Sequence, residues 1–276
     1  MSVQPVTAAD IDRPAPPAKR WTRTRIAGHI FVGLWIVIIA GIAIYLVRSW
    51  NPELFDRYAD RYWSGLLVTL QLVFLSIILG AILSVPIAYG RMAKSRIANA
   101  LSFGYVYFFR GTPLIAQTFL IYYGLGSFRP QLEAVGLWSF FRDAWNCALF
   151  AFTLNTAAYQ AEILRGAVES VGRGQWEGAA SLGLSRLQTM RLVVIPQALI
   201  VALRPYGNEI ILMIKGSAIV AIITVYDLMG ETRRAYSRSF DFQTYLYAAL
   251  IYLAIVETLR NIIEWIEKRL TRHLKR

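Results

Sequence analysis

Residues 62–90 read YWSGLLVTLQLVFLSIILGAILSVPIAYG and contain no Asp, Glu, Lys or Arg. A helix needs about 20 predominantly apolar residues to cross the hydrocarbon core of a bilayer, so this stretch is long enough to span one. Other uncharged stretches lie before and after it along the chain. The sequence therefore predicts an all-α integral membrane protein.

The composition of the 276-residue chain favours the same class. Hydrophobic residues make up 56% and charged residues 17%, against about 45–50% and 25% in soluble globular proteins. The formal charge of +12 could indicate nucleic-acid binding, but the basic residues lie between apolar stretches and not along one soluble face, which favours membrane topology. A single cysteine, Cys147, and two histidines, His29 and His273, argue against a disulfide framework and against a metal site.

The uncharged stretches predict six spans. Residues 30–47, extended by 26–29, form the first, and an uncleaved anchor is favoured over a signal peptide. A signal peptide has an apolar part of only about 7–15 residues, followed by a small-residue cleavage site. The remaining spans are residues 62–90, 97–128 with an interruption at Arg110 to Pro113, 144–161, 205–226 and 244–266.

A further apolar run, residues 192–203, is too short to cross a membrane. It contains Pro196, which is expected to stop a helix, so we expect the run to be interfacial or buried.

The distribution of Lys and Arg predicts the orientation of the spans. Nineteen lie in the N-terminal tail, the 91–96 loop, residues 165–204 and the C-terminal segment, eight lie on the other side, and two lie within spans. The positive-inside rule then places both termini in the cytoplasm, with basic tails at residues 1–25 and 268–276. The first tail mixes Pro, Ala and Asp and is expected to be disordered.

The chain has no sequence motif for binding or hydrolysing ATP, since G-x-x-x-x-G-K-[ST], H-E-x-x-H and G-x-S-x-G are all absent. The most informative segment is residues 175–198, QWEGAASLGLSRLQTMRLVVIPQA. Two short helical pieces flank a break at Gly183, and Arg186 and Arg191 offer charge to an opposing protein. This pattern predicts a docking knob, and an amphipathic interfacial helix without a partner is the alternative.

The same segment resembles the EAA motif of membrane subunits of ATP-binding-cassette (ABC) importers, which reads Glu-Ala-Ala, a nearby glycine, and Ile-x-Leu-Pro. Here Gly178 replaces the first alanine and Ile195-Pro196 closes the motif. The resemblance implies a type I importer permease fold, with coupling helices at about residues 172–196 that sit in a cleft of a separate ATPase subunit. The docking residues that it implies are Glu177, Gly178, Ala179, Ala180, Gly183, Arg186 and Pro196.

Three further stretches resemble signatures of the polar amino-acid uptake branch, the histidine, arginine, glutamine and opine permeases. They are residues 107–114 with Gln117, which match F-R-G-T-P-L-x-x-Q, residues 155–159 with Glu162, and residues 207–209 with Lys215. The similarity implies a five-helix transmembrane domain at residues 62–267 and an additional N-terminal helix at residues 26–50. One departure is that the K-D-T-S-L pattern often found after Asn-Glu reads KGSAI at residues 215–219.

Polar residues within the spans are candidates for a substrate pathway. A charged side chain at mid-depth costs at least about 2.5–3.5 kcal/mol, Pro113 should kink the backbone beside a cavity, and residues 110 and 117 should share one helical face. The candidates are Arg110, Thr112, Gln117, Asn155, Tyr159, Glu162, Asn208, Glu209 and Lys215. The alternatives are hydrogen bonding between helices for Asn155 and Tyr159, a carbonyl-binding structural role for Arg110, and gating or plain solvation for Glu162.

We therefore expect the permease subunit of an ATP-driven importer of a polar amino acid, or of a derivative such as an opine, in the bacterial inner membrane. The resemblance implies two ATPase subunits that bind ATP and Mg²⁺, a second permease, identical or homologous, and an extracytoplasmic solute-binding protein. No cofactor is expected on this chain. A membrane scaffold or sensor is the alternative, and the intramembrane charges of Arg110 and Lys215 argue against it.

Overall fold

The structure is a computed structural model that describes residues 21–272, apart from the side chain of Ser49. In this range the secondary structure is entirely helical, which confirms the predicted all-α class. The helices are α1 (Arg23–Ser49), α2 (Pro52–Met92), α3 (Arg96–Gly111), α4 (Leu114–Phe119), α5 (Arg129–Ala134), α6 (Trp138–Phe141), α7 (Ala144–Glu169), α8 (Arg173–Ser181), α9 (Arg186–Thr189), α10 (Ile195–Ser217), α11 (Leu228–Ser239) and α12 (Gln243–Leu270). Leu120–Gly124 and Met190–Val194 are π-helical turns, and Ala218–Ile223 is a 3-10 helix.

Helix α1 belongs to a unit made of residues 1–51 and is described by itself. It begins at Arg23, where the Thr22 hydroxyl accepts a hydrogen bond of 3.3 Å from the backbone N–H of Arg25. Because of this cap, residues 23–25 are helical, and the expectation of disorder up to residue 25 is wrong for them. Of the predicted tails, residues 1–20 and 273–276 lie outside the described residues, and residues 268–270 belong to α12.

Four helical stretches of the described chain are long and apolar enough to cross a membrane, namely α1, α2, Arg186–Ile223 and α12. The predicted fourth span corresponds to α7, whose 26 residues rise about 39 Å at 1.5 Å per residue. The predicted interruption of the third span is confirmed, because α3 ends at Gly111 and α4 begins at Leu114.

The expectation that Pro196 stops a helix within residues 192–203 is wrong, whereas the interfacial or buried position of this run stays a prediction. Arg186–Ile223 is one continuous helical stretch, in which the π-helical turn joins α9 to α10. Pro196 does not stop the helix but lies at the start of α10, directly after the π-helical turn Met190–Val194, and this irregular turn lets the helix continue past a residue that has no N–H. The predicted fifth span therefore extends without interruption into the predicted docking segment.

Close packing of α2 against α7 forms the centre of the unit that spans residues 52–276. A Cβ atom at Gly80 would lie 2.5 Å from Thr156 Cγ2 and 3.0 Å from Gln160 Nε2, so only glycine allows the two helices to approach this closely. Phe152 and five alanines of α7 have no exposed surface. This packing fixes the polar side chains of α7 that are described below.

Asp227 caps the N-terminus of α11, and its Oδ1 accepts a hydrogen bond of 2.8 Å from the backbone N–H of Gly230. Burial raises the pKa of Asp227 to about 6. The carboxyl is still largely ionised at neutral pH, where its negative charge stabilises the helix N-terminus.

Candidate docking and translocation sites

Gly183 ends α8 in the left-handed conformation, with a φ of +73°. Its N–H donates to the Ala180 carbonyl at 2.9 Å, and the N–H of Leu184 donates to the Ala179 carbonyl at 3.1 Å. These two bonds form a Schellman motif, which favours glycine at this position. Ser185 then caps α9 through a capping box with Gln188, so residues 173–189 form a fixed helix–turn–helix.

The turn between α8 and α9 exposes apolar side chains. Leu182 is 82% exposed and Leu187 is 78% exposed. Trp176 packs against a buried apolar cluster that includes Val171 and Val194. Of the predicted docking residues, Ala179 is buried, and those with exposed side chains or backbone are Glu177, Gly178, Ala180, Gly183, Arg186 and Pro196. The segment thus offers a defined apolar surface that nothing within the described chain covers.

The side chains of Gln117 and Asn155 form hydrogen bonds to the backbone at the break between α3 and α4. The Gln117 Nε2 atom donates to the carbonyl oxygens of Phe109 and Thr112 at 2.9 and 3.1 Å, and to Thr112 Oγ1 at 2.8 Å. Asn155 Nδ2 donates to the same Phe109 carbonyl at 3.1 Å and to Gln117 Oε1 at 3.0 Å. Because Pro113 has no N–H to offer the Phe109 carbonyl and the helix breaks at Thr112, the two buried amides satisfy these carbonyls instead. Gln117 and Asn155 therefore make structural contacts within and between helices.

The expectation that Arg110 and Gln117 share one helical face is wrong, because the helix breaks between them. Gln117 is buried, whereas the Arg110 side chain is 43% exposed at the end of α3.

Glu162, near the end of α7, lies among three arginines. Its carboxylate accepts hydrogen bonds from Arg91 Nε at 2.9 Å and from Arg165 Nη2 at 2.8 Å, and Arg110 Nη1 lies 3.9 Å away. The Arg110 guanidinium also lies over the Tyr159 ring, 5.1 Å from its centroid. The Glu162 side chain is only 14% exposed. One carboxylate therefore holds together α2, α3 and α7 at a point of excess positive charge.

Two cavities adjoin the contact between Arg110 and Glu162. One, of about 390 Å³, extends along α7 and α10 past Tyr159 and Val201. The other, of about 280 Å³, extends along α3 past Phe103. Arg110 and Glu162 line both cavities, so their long ion pair forms part of the wall between them.

Glu209 is buried on α10 and accepts a hydrogen bond of 2.8 Å from Thr156 Oγ1. Gln160 Nε2 donates to Thr156 Oγ1 at 3.0 Å and to the Ile77 carbonyl at 3.2 Å. These bonds connect α7 to α10 and to α2. Sequence reasoning missed Thr156 and Gln160, although their spacing of four residues on α7 marks a second polar face beside Asn155 and Tyr159.

Asn208 and Lys215 lie on the exposed face of α10. The Lys215 side chain makes no hydrogen bond or ion pair with residues 21–272, and Asn208 lines a groove of about 640 Å³ between α10 and α12. The structure thus brings together Arg110, Tyr159 and Glu162 in one group, and Thr112, Gln117 and Asn155 in another, whereas Asn208 and Lys215 join neither. Within the described range, no group of three His, Cys, Asp or Glu side chains is arranged to hold a metal ion.

Comparison with known proteins identifies the family. Residues 76–272 match the family described as "Binding-protein-dependent transport system inner membrane component". The chain is 42% identical over 208 residues to the nopaline transport system permease protein NocM of Agrobacterium fabrum (strain C58), covering 75% of this chain and 86% of the relative. It is 35% identical over 232 residues to the histidine/lysine/arginine/ornithine transport system permease protein HisM of Escherichia coli K12, covering 83% of this chain and 96% of the relative.

The fold has a counterpart among solved structures. A crystal structure of an amino acid ABC transporter with histidines contains a chain that is 34% identical and superimposes with a TM-score of 0.70, covering 78% of this chain and 96% of that chain. This likeness confirms the expected type I importer permease fold. The chain therefore belongs to the inner-membrane permease components of binding-protein-dependent ABC transport systems, which are multi-pass membrane proteins.

Proposed function

We propose that this chain is the permease subunit of an ATP-driven importer that carries a polar amino acid, or an amino-acid derivative such as an opine, across the bacterial inner membrane. The relatives support this solute class, because their names give nopaline in one case and histidine, lysine, arginine and ornithine in the other. ATP and Mg²⁺ would be bound by two separate ATPase subunits, and no cofactor by this chain. A second permease, identical or homologous, and an extracytoplasmic binding protein complete the proposed complex.

The fixed helix–turn–helix at residues 173–189 is the observation that carries the proposal. Its exposed Leu182 and Leu187 suit insertion into a cleft of an ATPase, and the Schellman turn at Gly183 presents both leucines in a defined geometry. Helix α9 continues through the π-helical turn into α10. Motion imposed on the docking turn would thus pass directly into a membrane-spanning helix.

The excess of Lys and Arg around the docking segment and the C-terminal end of α12 supports a cytoplasmic position for both. In this orientation both termini are cytoplasmic. In this orientation Glu162 would lie near the cytoplasmic end of α7, seven residues before its last residue, Glu169, and eleven before α8 begins at Arg173.

The solute pathway is proposed to pass Arg110, Tyr159 and Glu162. These side chains line a cavity, and the 3.9 Å separation of the ion pair is long enough for the contact to open without the loss of a short hydrogen bond. Gln117 and Asn155 would keep the broken helix beside the pathway in shape. Glu209 would connect α10 to α7 through Thr156.

Cross-linking tests the docking interaction. Cys147, the single native cysteine, is buried, so a cysteine introduced by Leu187→Cys should be the main target of a thiol-reactive cross-linker. We expect Leu187→Cys to form a cross-link to the ATPase and Ser237→Cys, on the exposed face of α11 at the opposite end of the spans, to form none. Equal cross-linking at both positions, or none at Leu187→Cys, would contradict the proposal.

A substitution pair tests the turn itself. Gly183→Val places a β-branched residue at a φ of +73°, which disfavours the left-handed conformation by about 1–2 kcal/mol or more. Purified complexes of this variant should show ATPase activity that no longer depends on the loaded binding protein. Gly174→Ala, in the first turn of the same α8 with open space around the new Cβ, is the matched control and should couple normally.

A further inference from the structure

A cavity of about 420 Å³ opens at the end of α7 that lies opposite the docking segment. Small-molecule sites typically enclose about 300–1,000 Å³. Its polar and aromatic lining comes from the π-helical turn after α4, the first residues of α7, and the loop between the 3-10 helix and α11. These residues are Tyr122, Arg142, Asp143, Trp145, Thr224 and Tyr226.

Two opposite charges face this cavity without pairing. The Arg142 side chain is exposed and makes no hydrogen bond or ion pair with any part of the chain that the structure describes. Asp143 Oδ1 accepts the N–H of Asn146 at 2.9 Å and so caps α7, while Oδ2 has no donor among the same residues. A free guanidinium and a free carboxylate oxygen therefore come from adjacent positions of the chain.

The opposite wall of the cavity has an unusual backbone. Thr224 adopts the left-handed conformation, with a φ of +66°, which is rare for a β-branched residue. Backbone strain of this kind is concentrated at binding and switch regions. Next to it, the Tyr226 ring lies 5.1 Å from the guanidinium of Arg234, which itself pairs with Glu231 at 3.5 Å.

We propose that this cavity is an extracytoplasmic entry site for an α-amino acid zwitterion. Arg142 would bind the α-carboxylate with its planar pair of N–H donors. Asp143 Oδ2 would accept from the α-ammonium, and the side chain of the solute would lie between the rings of Trp145 and Tyr226. This inference rests on the proposed function, since it assumes that the solute is an amino acid or retains those two groups.

The test measures uptake into proteoliposomes that contain the complete complex. The radiolabelled probes are L-arginine, L-histidine, L-glutamine and nopaline. The concentration of loaded binding protein is varied. Arg142→Gln and Asp143→Asn should each lower the maximal uptake of the transported probe about tenfold, because each removes one charge-assisted hydrogen bond. The binding-protein concentration that gives half-maximal uptake should not change. Asparagine caps a helix as well as aspartate does, so Asp143→Asn should fold.

Two further variants sharpen the test. Arg142→Lys keeps a cation at the cavity and should retain more uptake than Arg142→Gln. Arg129→Gln removes an exposed arginine that pairs with Glu133 at 2.7 Å and does not line the cavity, and it should transport as the wild type does.

The outcomes separate the two proposals. If the wild-type complex transports a probe and both Arg142→Gln and Asp143→Asn reach its maximal rate, the entry site is wrong and the proposed function stands. If only the half-maximal concentration of binding protein rises, these residues contact the binding protein and the entry site is again wrong. If the wild-type complex transports none of the four probes, the proposed function fails, and the entry site with it.

Discussion

Helices α7 and α12 have almost the same length, 26 and 28 residues, but opposite surroundings. Helix α12 is apolar enough to be identified as a span, yet most of its apolar stretch is exposed. Helix α7 is not among the four stretches that hydropathy identifies, yet eleven of its residues are buried, against three in α12.

The difference in burial between α7 and α12 follows from what surrounds a membrane helix, which is either lipid or other helices. Residues that face lipid must be apolar, because hydrocarbon offers no hydrogen-bond partner. Residues between helices can be small or polar, since neighbouring helices pack closely against them and supply partners. In α12 high hydropathy therefore goes with exposure, whereas the combination of alanine, threonine, asparagine and glutamine in α7 marks the centre of the packing, against which the apolar α2 also packs.

The largest contrast between the two helices should come from truncating one apolar side chain in each. Phe152 of α7 has no exposed surface, and Phe152→Ala should lower the free energy of unfolding by about 3–5 kcal/mol. Leu253 of α12 is 63% exposed, and Leu253→Ala should stay within about 0.5 kcal/mol of the wild type. Thermal unfolding of the purified protein in detergent measures both, and equal losses would show that α12 is covered as fully as α7.

The second contrast concerns charge. Glu162→Gln leaves three arginines around a neutral amide, and we expect a loss of about 1.5–3 kcal/mol because hydrogen bonds to a mostly buried charge are removed. The control is Glu133→Gln, which removes an ion pair of 2.7 Å between side chains that are 62% and 46% exposed. Exposed pairs contribute up to about 1 kcal/mol. A control variant that loses as much stability as Glu162→Gln would refute this ranking.

The third contrast concerns the spacing between helices. Gly80→Ala places a Cβ at 2.5 Å from Thr156 Cγ2, so α2 and α7 must move apart, at about 1–3 kcal/mol. Gly104→Ala, on α3, meets no atom within 4 Å and should be neutral or slightly stabilising. Unfolding temperatures of the two variants, measured side by side, separate steric overlap from the general effect of replacing a helical glycine. The interpretation fails if Gly80→Ala is as stable as Gly104→Ala.

Features of this structure that depend on the conformational preference of a single residue could be predicted from the sequence. The turn at Gly183 and the break before Pro113 were predicted because a left-handed glycine and a proline without an N–H leave few alternatives. The rule for Pro196 gave the wrong result, since a π-helical turn directly before the proline lets the helix continue, and the sequence does not show where such a turn forms.

The clusters around Glu162 and Glu209 could be predicted only in part. Glu162 and Arg91 are 71 residues apart in the sequence, and Thr156 and Glu209 are 53 apart, so neither pair follows from helical spacing. Spacing on α7 alone does bring residues 155, 159 and 162 to one face. Which arginines reach that face depends on how closely α2 and α3 approach α7. For α2, this distance depends on Gly80, whose closeness to α7 is visible only in the folded structure.

The smallest expected contrast compares the loss of one hydroxyl from α7 with the loss of one hydroxyl from α12. Thr156→Val keeps the shape of the side chain but removes the donor to Glu209 and the acceptor of Gln160. Hydrogen bonds between membrane helices are worth about 0.6 kcal/mol on average and up to about 1.7 kcal/mol, and we expect the upper part of this range because the Glu209 carboxyl is buried and loses its donor.

Thr258→Val is the matched change on α12. Its hydroxyl is exposed and donates at 2.7 Å to the Ala254 carbonyl of its own helix, so its loss breaks no contact between helices and should shift stability by less than about 0.5 kcal/mol. Both variants are compared by thermal unfolding in the same detergent, and each is combined with Glu209→Gln. If the Thr156 hydroxyl acts through Glu209, the effects of Thr156→Val and Glu209→Gln are not additive. Additive effects, or an equal effect of Thr258→Val, would show that the polar face of α7 does not bind α10 as the structure indicates.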